Sequence, residues 1–238
     1  VERLMAIRGV LFDKDGTLIE VNGTWVPLYR QMLTENFSVA PDRVEAMLQA
    51  GGYEPETGAF RAGSMLAAGT TGQIVKLWWP ELSPAELKQR TDLIDNEIAP
   101  QAKQFIKPLM ELSNVFDELR EMNLRLGVAT NDSFRSAMAQ MNHLDVHHYF
   151  EHIIGWDSVV IPKPSGHMIE YFCSRTGLSP EEVAMVGDNG HDMEEARAGG
   201  AGLAVAVLSG NSAHSDIAHL ADHTLTSVAD LPALLRSL

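Results

Sequence analysis

The sequence predicts an α/β fold: a doubly wound, Rossmann-like parallel sheet with an inserted α-helical domain near its start. Three observations carry this. Short apolar segments that end at turns alternate with stretches of helical pattern, as a parallel sheet covered on both faces requires. The alternation stops between about Val21 and about Lys107, where helices and glycines replace strands. Two of the apolar segments run straight into aspartate clusters, at the strand ends where such sheets hold their ligands.

Taken in order, Ile7, Val10, Leu11 and Phe12 form a buried strand that ends in the turn Asp13-Lys14-Asp15-Gly16-Thr17. Trp25 to Phe37 reads as helix because Tyr29, Met32, Leu33 and Phe37 fall on one stripe, and Val44, Met47 and Leu48 repeat the pattern after Pro41. Glycines from Gly51 to Gly72 punctuate a mobile or loop-rich stretch. Ser83-Pro84-Ala85-Glu86 combines a serine N-cap with proline at the first helical position and glutamate at the third. It opens a helix through about Ile98, with Leu87, Ile94 and Ile98 on one face. Further strands are expected at Leu124 to Thr130, His152 to Gly155, Val183 to Gly187, Gly202 to Leu208 and His223 to Leu225. Ser133 to Met141, Met168 to Arg175 and Met193 to Ala198 have helical composition, and Ser179-Pro180-Glu181-Glu182 forms a short helical turn. The expected division is residues 1–20 with 108–238 for the sheet domain and 21–107 for the insert.

The 238 residues are 45% hydrophobic and 21% charged, ordinary values for a globular chain. Eighteen basic against 32 acidic side chains give a net charge of -14, which repels a phosphate backbone and anionic lipid, so neither nucleic acid nor membrane is expected as a partner. The lone Cys173 excludes an internal disulfide and suits a reducing compartment. Val1 to Phe12, with Glu2, Arg3 and Arg8 among its apolar residues, has no pattern of a signal peptide. The longest apolar run, Leu203 to Leu208, falls far short of the roughly 20 residues that span a bilayer. A soluble, cytoplasmic protein is expected. His143, His147, His148 and His152 contain two spacings of four, but Asp145 and the end of a helix break any common face, which leaves a solvated surface. Trp78-Trp79-Pro80 reads as packed core of the insert.

Asp13 and Asp15 lie two apart at a strand end and so point to the same side. Two such carboxylates repel one another and call for a cation, a protonated member, or both. The cluster Gly187-Asp188-Asn189-Gly190-His191-Asp192 also follows a strand, and it converges on the first pair if the two strands are neighbours. Asp13, Asp15 and Asp188 then offer hard oxygen ligands suited to Mg²⁺. Thr130-Asn131 presents a hydroxyl and backbone N–H groups at a helix start, and Lys163-Pro164 presents a fixed ammonium, both suited to phosphate.

In these residues the chain resembles the haloacid dehalogenase superfamily, specifically its phosphoglycolate-phosphatase-like branch. Four motifs appear in the family's order: Asp13-Lys14-Asp15-Gly16-Thr17, Thr130, Lys163, and Gly187-Asp188 with Asp192. The resemblance covers nearly the whole sequence, and the ending Thr226-Ser227-Val228-Ala229-Asp230-Leu231 also looks like that branch. Lys14 departs from the apolar residue more usual between the two aspartates.

The resemblance implies Mg²⁺-dependent hydrolysis of a small phosphomonoester, 2-phosphoglycolate among the candidates, through an aspartyl-phosphate. It makes Asp13 the nucleophile and Asp15 the acid and base, with Thr130, Asn131 and Lys163 on the phosphate. The metal is held by the Asp13 side chain, the Asp15 carbonyl and the Asp188 side chain, and Asp192 orients the site or binds a metal water. The insert becomes a cap that excludes water and selects the leaving group. A carboxylated substrate requires a cation there, for which Arg30, Arg61 and Lys76 are available, and Trp25 and Tyr29 are candidates for its entrance wall. A phosphosugar mutase, a 2-haloacid dehalogenase and a retired binding protein remain as alternatives, and the chain is expected as a monomer or homodimer.

Overall fold

The structure, a computed structural model, describes residues 6–238. Residues 1–5, with Glu2 and Arg3 of the signal-peptide reading, lie outside the described residues. The first strand, β1 (Gly9–Phe12), is buried at every position, as a central strand covered on both faces must be. The chain then leaves the sheet for α1 (Val21–Gln31), α2 (Pro41–Ala50), a hairpin of β2 (Tyr53–Glu54) and β3 (Ala59–Phe60), α3 (Met65–Ala68), α4 (Thr71–Trp78) and α5 (Pro84–Leu93). It returns through α6 (Leu112–Glu121) to β4 (Arg125–Ala129), α7 (Phe134–His143), β5 (His152–Ile154) and α8 (His167–Thr176). β6 (Val183–Gly187), α9 (Gly190–Ala198), β7 (Leu203–Val207), α10 (His214–Ile217), β8 (His223–Leu225) and α11 (Leu231–Ser237) complete it.

The six long-range strands form one parallel sheet in the order β5-β4-β1-β6-β7-β8. The order reverses beside β1, and such a switch point opens a crevice at the carboxyl ends of the strands. Side chains alternate across the sheet. Val10, Phe12, Leu126 and Val128 pack with Phe116 on one face, while Leu11, Ala129 and Met185 pack with Phe172 on the other. A third apolar cluster draws only on residues between Val21 and Ala102, among them Leu33, Leu48, Phe60 and Val75, so the helical insert has a core of its own.

Three local features differ from the sequence reading. The helix expected from Trp25 begins at Val21, and its last turn over Met32–Asn36 widens to π-type hydrogen bonding, as does the turn Ile94–Ile98 after α5. The insert also contains the β2–β3 hairpin, whose strands of two residues each are too short to show alternation. Tyr53 and Phe60 pair across it and are buried, so part of the glycine-rich stretch is packed structure. The Ser83 cap forms as expected, with Glu86 N–H donating to Ser83 Oγ and Ser83 N–H to the Glu86 carboxylate. Among the described residues no helix is long and apolar enough to cross a membrane.

Candidate active site

β1 and β6 are adjacent, with Phe12 opposite Val186, so the two aspartate clusters meet at the strand ends. Asp13, Asp188 and Asp192 are buried, and each offers a carboxylate oxygen within 4.8 Å of the others. The first turn can pass this close because Gly16 adopts φ +85°, and a Cβ there would lie 2.5 Å from Asp188 Oδ2. Thr17 Oγ1 and the Asn211 N–H donate to the two oxygens of Asp188, each at 3.3 Å.

Burial, then the charges of Asp13 and Asp192, push the Asp188 carboxyl well above its usual range. Burial, reinforced by Asp192, raises Asp13 to about 7. Lys163 offsets part of this charge, donating from Nζ to Asp13 Oδ1 and to Asp192 Oδ1, both at 2.6 Å. Burial by itself lowers the Lys163 pKa, but Asp13 and Asp192 outweigh it and hold the ammonium above its ordinary value. One cation against three carboxylates leaves the cluster negative, and its all-oxygen donor set fits a hard divalent ion such as Mg²⁺. Both Asp192 oxygens are held closely, Oδ1 by Lys163 at 2.6 Å and Oδ2 by the Asn189 N–H at 3.0 Å, whereas the two donors to Asp188 stand off at 3.3 Å and Lys163 holds Asp13 through Oδ1.

Asp15 turns its carboxylate away from this cluster. Its Oδ1 accepts from Trp25 Nε1 at 2.6 Å, and its Oδ2 pairs with Lys14 Nζ at 2.7 Å. Thr130 is buried at the end of β4, where its Oγ1 accepts from the Asp132 N–H at 3.1 Å. The helix start expected at Thr130-Asn131 lies further on, since Ser133 is the N-cap of α7. The Asn131 side chain instead donates to Ala68 O at 2.8 Å, tying this strand end to the insert. Asp13, Asp15, Thr130, Asn131, Lys163, Asp188 and Asp192 border one cavity between sheet and insert.

A family model for haloacid dehalogenase-like hydrolases matches residues 7–200. The chain belongs to that family. Within the phosphoglycolate-phosphatase-like branch, it is 26% identical over 245 residues to a phosphoglycolate phosphatase of Yersinia pestis, a match covering 98% of this chain and 97% of that one. A phosphoglycolate phosphatase of Chromobacterium violaceum is 36% identical over 119 residues, and there the chain spans about half the relative's length (52%) and the match about half of this chain (50%). The fold is shared with an HAD phosphatase from Thermococcus onnurineus, at TM-score 0.66, 22% identity and coverage of 96% and 98%.

Against the family pattern, Lys14 is the departure, and the structure buries it completely. Its ammonium meets Asp15, Gln140 Oε1 at 2.7 Å and Asp132 Oδ2 at 3.3 Å, and it lies 5.2 Å from the Trp25 ring centroid. Burial lowers the Lys14 pKa, but Asp15 and Asp132 raise it further, so it stays charged. Asp132, Gln140 and Trp25 thus join the site although sequence reading passed over the first two; the aspartate directly after Thr130-Asn131 was the available signal. Glu195 was missed as well. Wholly buried, it accepts from the Gly166 and Met168 N–H groups at 2.6 and 2.9 Å and so anchors the start of α8, four residues beyond Lys163.

The three cations considered for the insert lie elsewhere. Arg30 is bound to Glu45 and Tyr53, Lys76 is exposed, and Arg61 lines a separate, more open cleft. Trp25 and Tyr29 do line the cavity. Within the histidine run, His147 and His148 form an exposed surface group with Asp145, while His152 opens β5.

Proposed function

We propose that this hydrolase is a Mg²⁺-dependent phosphatase that cleaves a small phosphomonoester by way of an aspartyl-phosphate on Asp13. The observation that carries the reading is the Asp13 carboxylate at a sheet switch point, held by Lys163 and bordering one cavity with Asp15. An Asp13 oxygen attacks phosphorus, and the bond from phosphorus to the leaving oxygen breaks. Asp15, directed by Trp25 and Lys14 and entering the cycle in its acid form, which the later proton from water restores, gives that oxygen its proton. Asp15 then takes a proton from water as the water attacks the phosphoryl group, releasing phosphate and restoring the Asp13 carboxylate. Thr130, the Asn131 N–H and Lys163 hold the charge that spreads over the transferring oxygens. Asp13, the Asp15 carbonyl and Asp188 would hold Mg²⁺, whose charge lets an anionic nucleophile approach an anionic phosphate.

In this reading residues 1–20 and 108–238 are the catalytic core and 21–107 the cap. Paired amides of Asn22 and Asn211, at 2.8 and 3.2 Å, and the bond from Asn131 to Ala68 support a cap that closes on the site. The single cysteine suits a reducing, cytoplasmic setting. The relatives are named for phosphoglycolate, which makes it the first ester to assay. The test is phosphate release from a panel of phosphomonoesters with Mg²⁺ or chelator. Release that chelator and Asp13→Asn both abolish is expected, and release unchanged in Asp13→Asn refutes the proposal.

A further inference from the structure

The phosphoryl end of the cavity and its opposite wall have contrasting chemistry. Every lining residue from the insert is uncharged, and most are apolar, among them Leu28, Met32, Leu66, Ile74 and Ile94. Aromatic rings complete this wall: Trp25 stacks on Tyr29 with centroids 5.6 Å apart, and Trp78 meets the edge of Tyr29 at 5.4 Å. Three of the side-chain polar atoms there are already engaged. Trp25 Nε1 donates to Asp15, Trp78 Nε1 to Met47 O at 2.8 Å, and Thr71 Oγ1 to Asp95 Oδ1 at 2.6 Å. The Tyr29 hydroxyl is left as a neutral donor. Burial, with Asp132, Asp15 and Asp95 nearby, raises its pKa and keeps it protonated.

The electrostatic balance points the same way. Asp13, Asp15, Asp132, Asp188 and Asp192 all border the cavity, with Lys163 and His191 as its basic members and Lys14, buried behind it, already paired with Asp15 and Asp132. Lys163 is engaged at the phosphoryl end, and His191 stands on the sheet side, shared with the outer cleft that holds Arg61. A leaving group with a carboxylate would meet aspartates on the sheet side and, on the insert wall, no charged lining residue to pair with it. An aromatic or alkyl group would remove apolar wall from water and place a ring against Trp25, Tyr29 and Trp78.

Resting on the phosphatase reading, we propose that the leaving alcohol is uncharged and predominantly apolar, an arylalkyl or aryl group, and not a carboxylated one such as glycolate. The wall thus separates this chain's substrate from the ester for which its relatives are named.

The deciding experiment compares kcat/KM of the wild-type enzyme with Mg²⁺ for 2-phenylethyl phosphate, 2-phosphoglycolate, its neutral amide and glucose 6-phosphate, with Asp13→Asn as control. The phenylethyl ester should exceed phosphoglycolate by about 100-fold or more, mainly through KM, and the neutral amide should also exceed phosphoglycolate. Ile74→Lys, which adds an ammonium to the wall, should narrow the first ratio at least about tenfold. Leu66→Lys serves if that variant does not fold, and the wild-type comparison needs neither. Asp13-dependent release that favours phosphoglycolate or glucose 6-phosphate overturns the apolar assignment and leaves the phosphatase standing. No Asp13-dependent release from any ester overturns both.

Discussion

Lys14→Met removes a buried charge while nearly conserving side-chain length and volume. Lys14 has no exposure, and its ammonium is 2.7 Å from Asp15 and 3.3 Å from Asp132. Asp132 is already raised to about 6, by burial first, with Lys14 holding it down. Without that ammonium the Asp15 and Asp132 carboxylates lie at the cavity edge with no cation between them. Breaking a buried pair from one side costs about 3–5 kcal/mol, and that is the expected loss of unfolding free energy. Neutralising the stranded partner should return part of it, so Asp132→Asn in the Lys14→Met background should be less harmful than in the wild type, with a coupling of about 2 kcal/mol. Urea unfolding of wild type, both single variants and the double variant at pH 7 measures each quantity. A cost below about 1 kcal/mol for Lys14→Met, with strictly additive effects, would show that Lys14 does not hold this network together.

Trp25→Phe keeps the ring and removes the donor to Asp15, so kcat should fall roughly 10-fold or more with KM little changed, as steady-state kinetics would show. Glu195→Gln leaves one oxygen to accept two buried N–H groups; a loss of about 1–3 kcal/mol in chemical denaturation is expected, with slower phosphate release as the Lys163 loop loosens. Asp95, raised by burial to about 7, keeps its proton in the folded state after the unfolded chain has ionised. Its contribution to stability therefore declines as pH rises from about 4 to about 7 and is level above. Asp95→Asn should remove that slope, so the variant should gain on the wild type by a few kcal/mol between pH 5 and pH 8, and parallel urea midpoints at the two pH values would contradict this.

Local signals made the sheet and its acidic ends legible. Asp13, Asp188 and Thr130 each follow a short apolar strand directly, so sequence position alone places them at a strand's carboxyl end. Their convergence needed one further fact, the adjacency of β1 and β6, which no local pattern contains. The cavity wall was illegible for a related reason. Leu28, Leu66, Ile74 and Ile94 come from four separate helical segments, Leu66 from a stretch whose glycines read as a loop, and only packing turns one side of them toward the site. Arg30 illustrates the converse: a cation of suitable type in the right domain, diverted by Glu45 and Tyr53. Lys14 was visible as a departure, but its partners Asp132 and Gln140 lie more than a hundred residues away. Glu195 looks like a solvated acid on a helix until the N–H groups of another helix are placed against it.

The central claim is that Asp13 takes the phosphoryl group. It is tested most directly by mixing excess enzyme with a turned-over ester and Mg²⁺, quenching in acid within the first turnover, and mapping the digest by mass spectrometry. The account predicts one phosphoryl group on the peptide carrying Asp13, absent in Asp13→Asn and decaying as free phosphate appears. Full-rate phosphate release with no phosphoryl group on that peptide at any time point would contradict it.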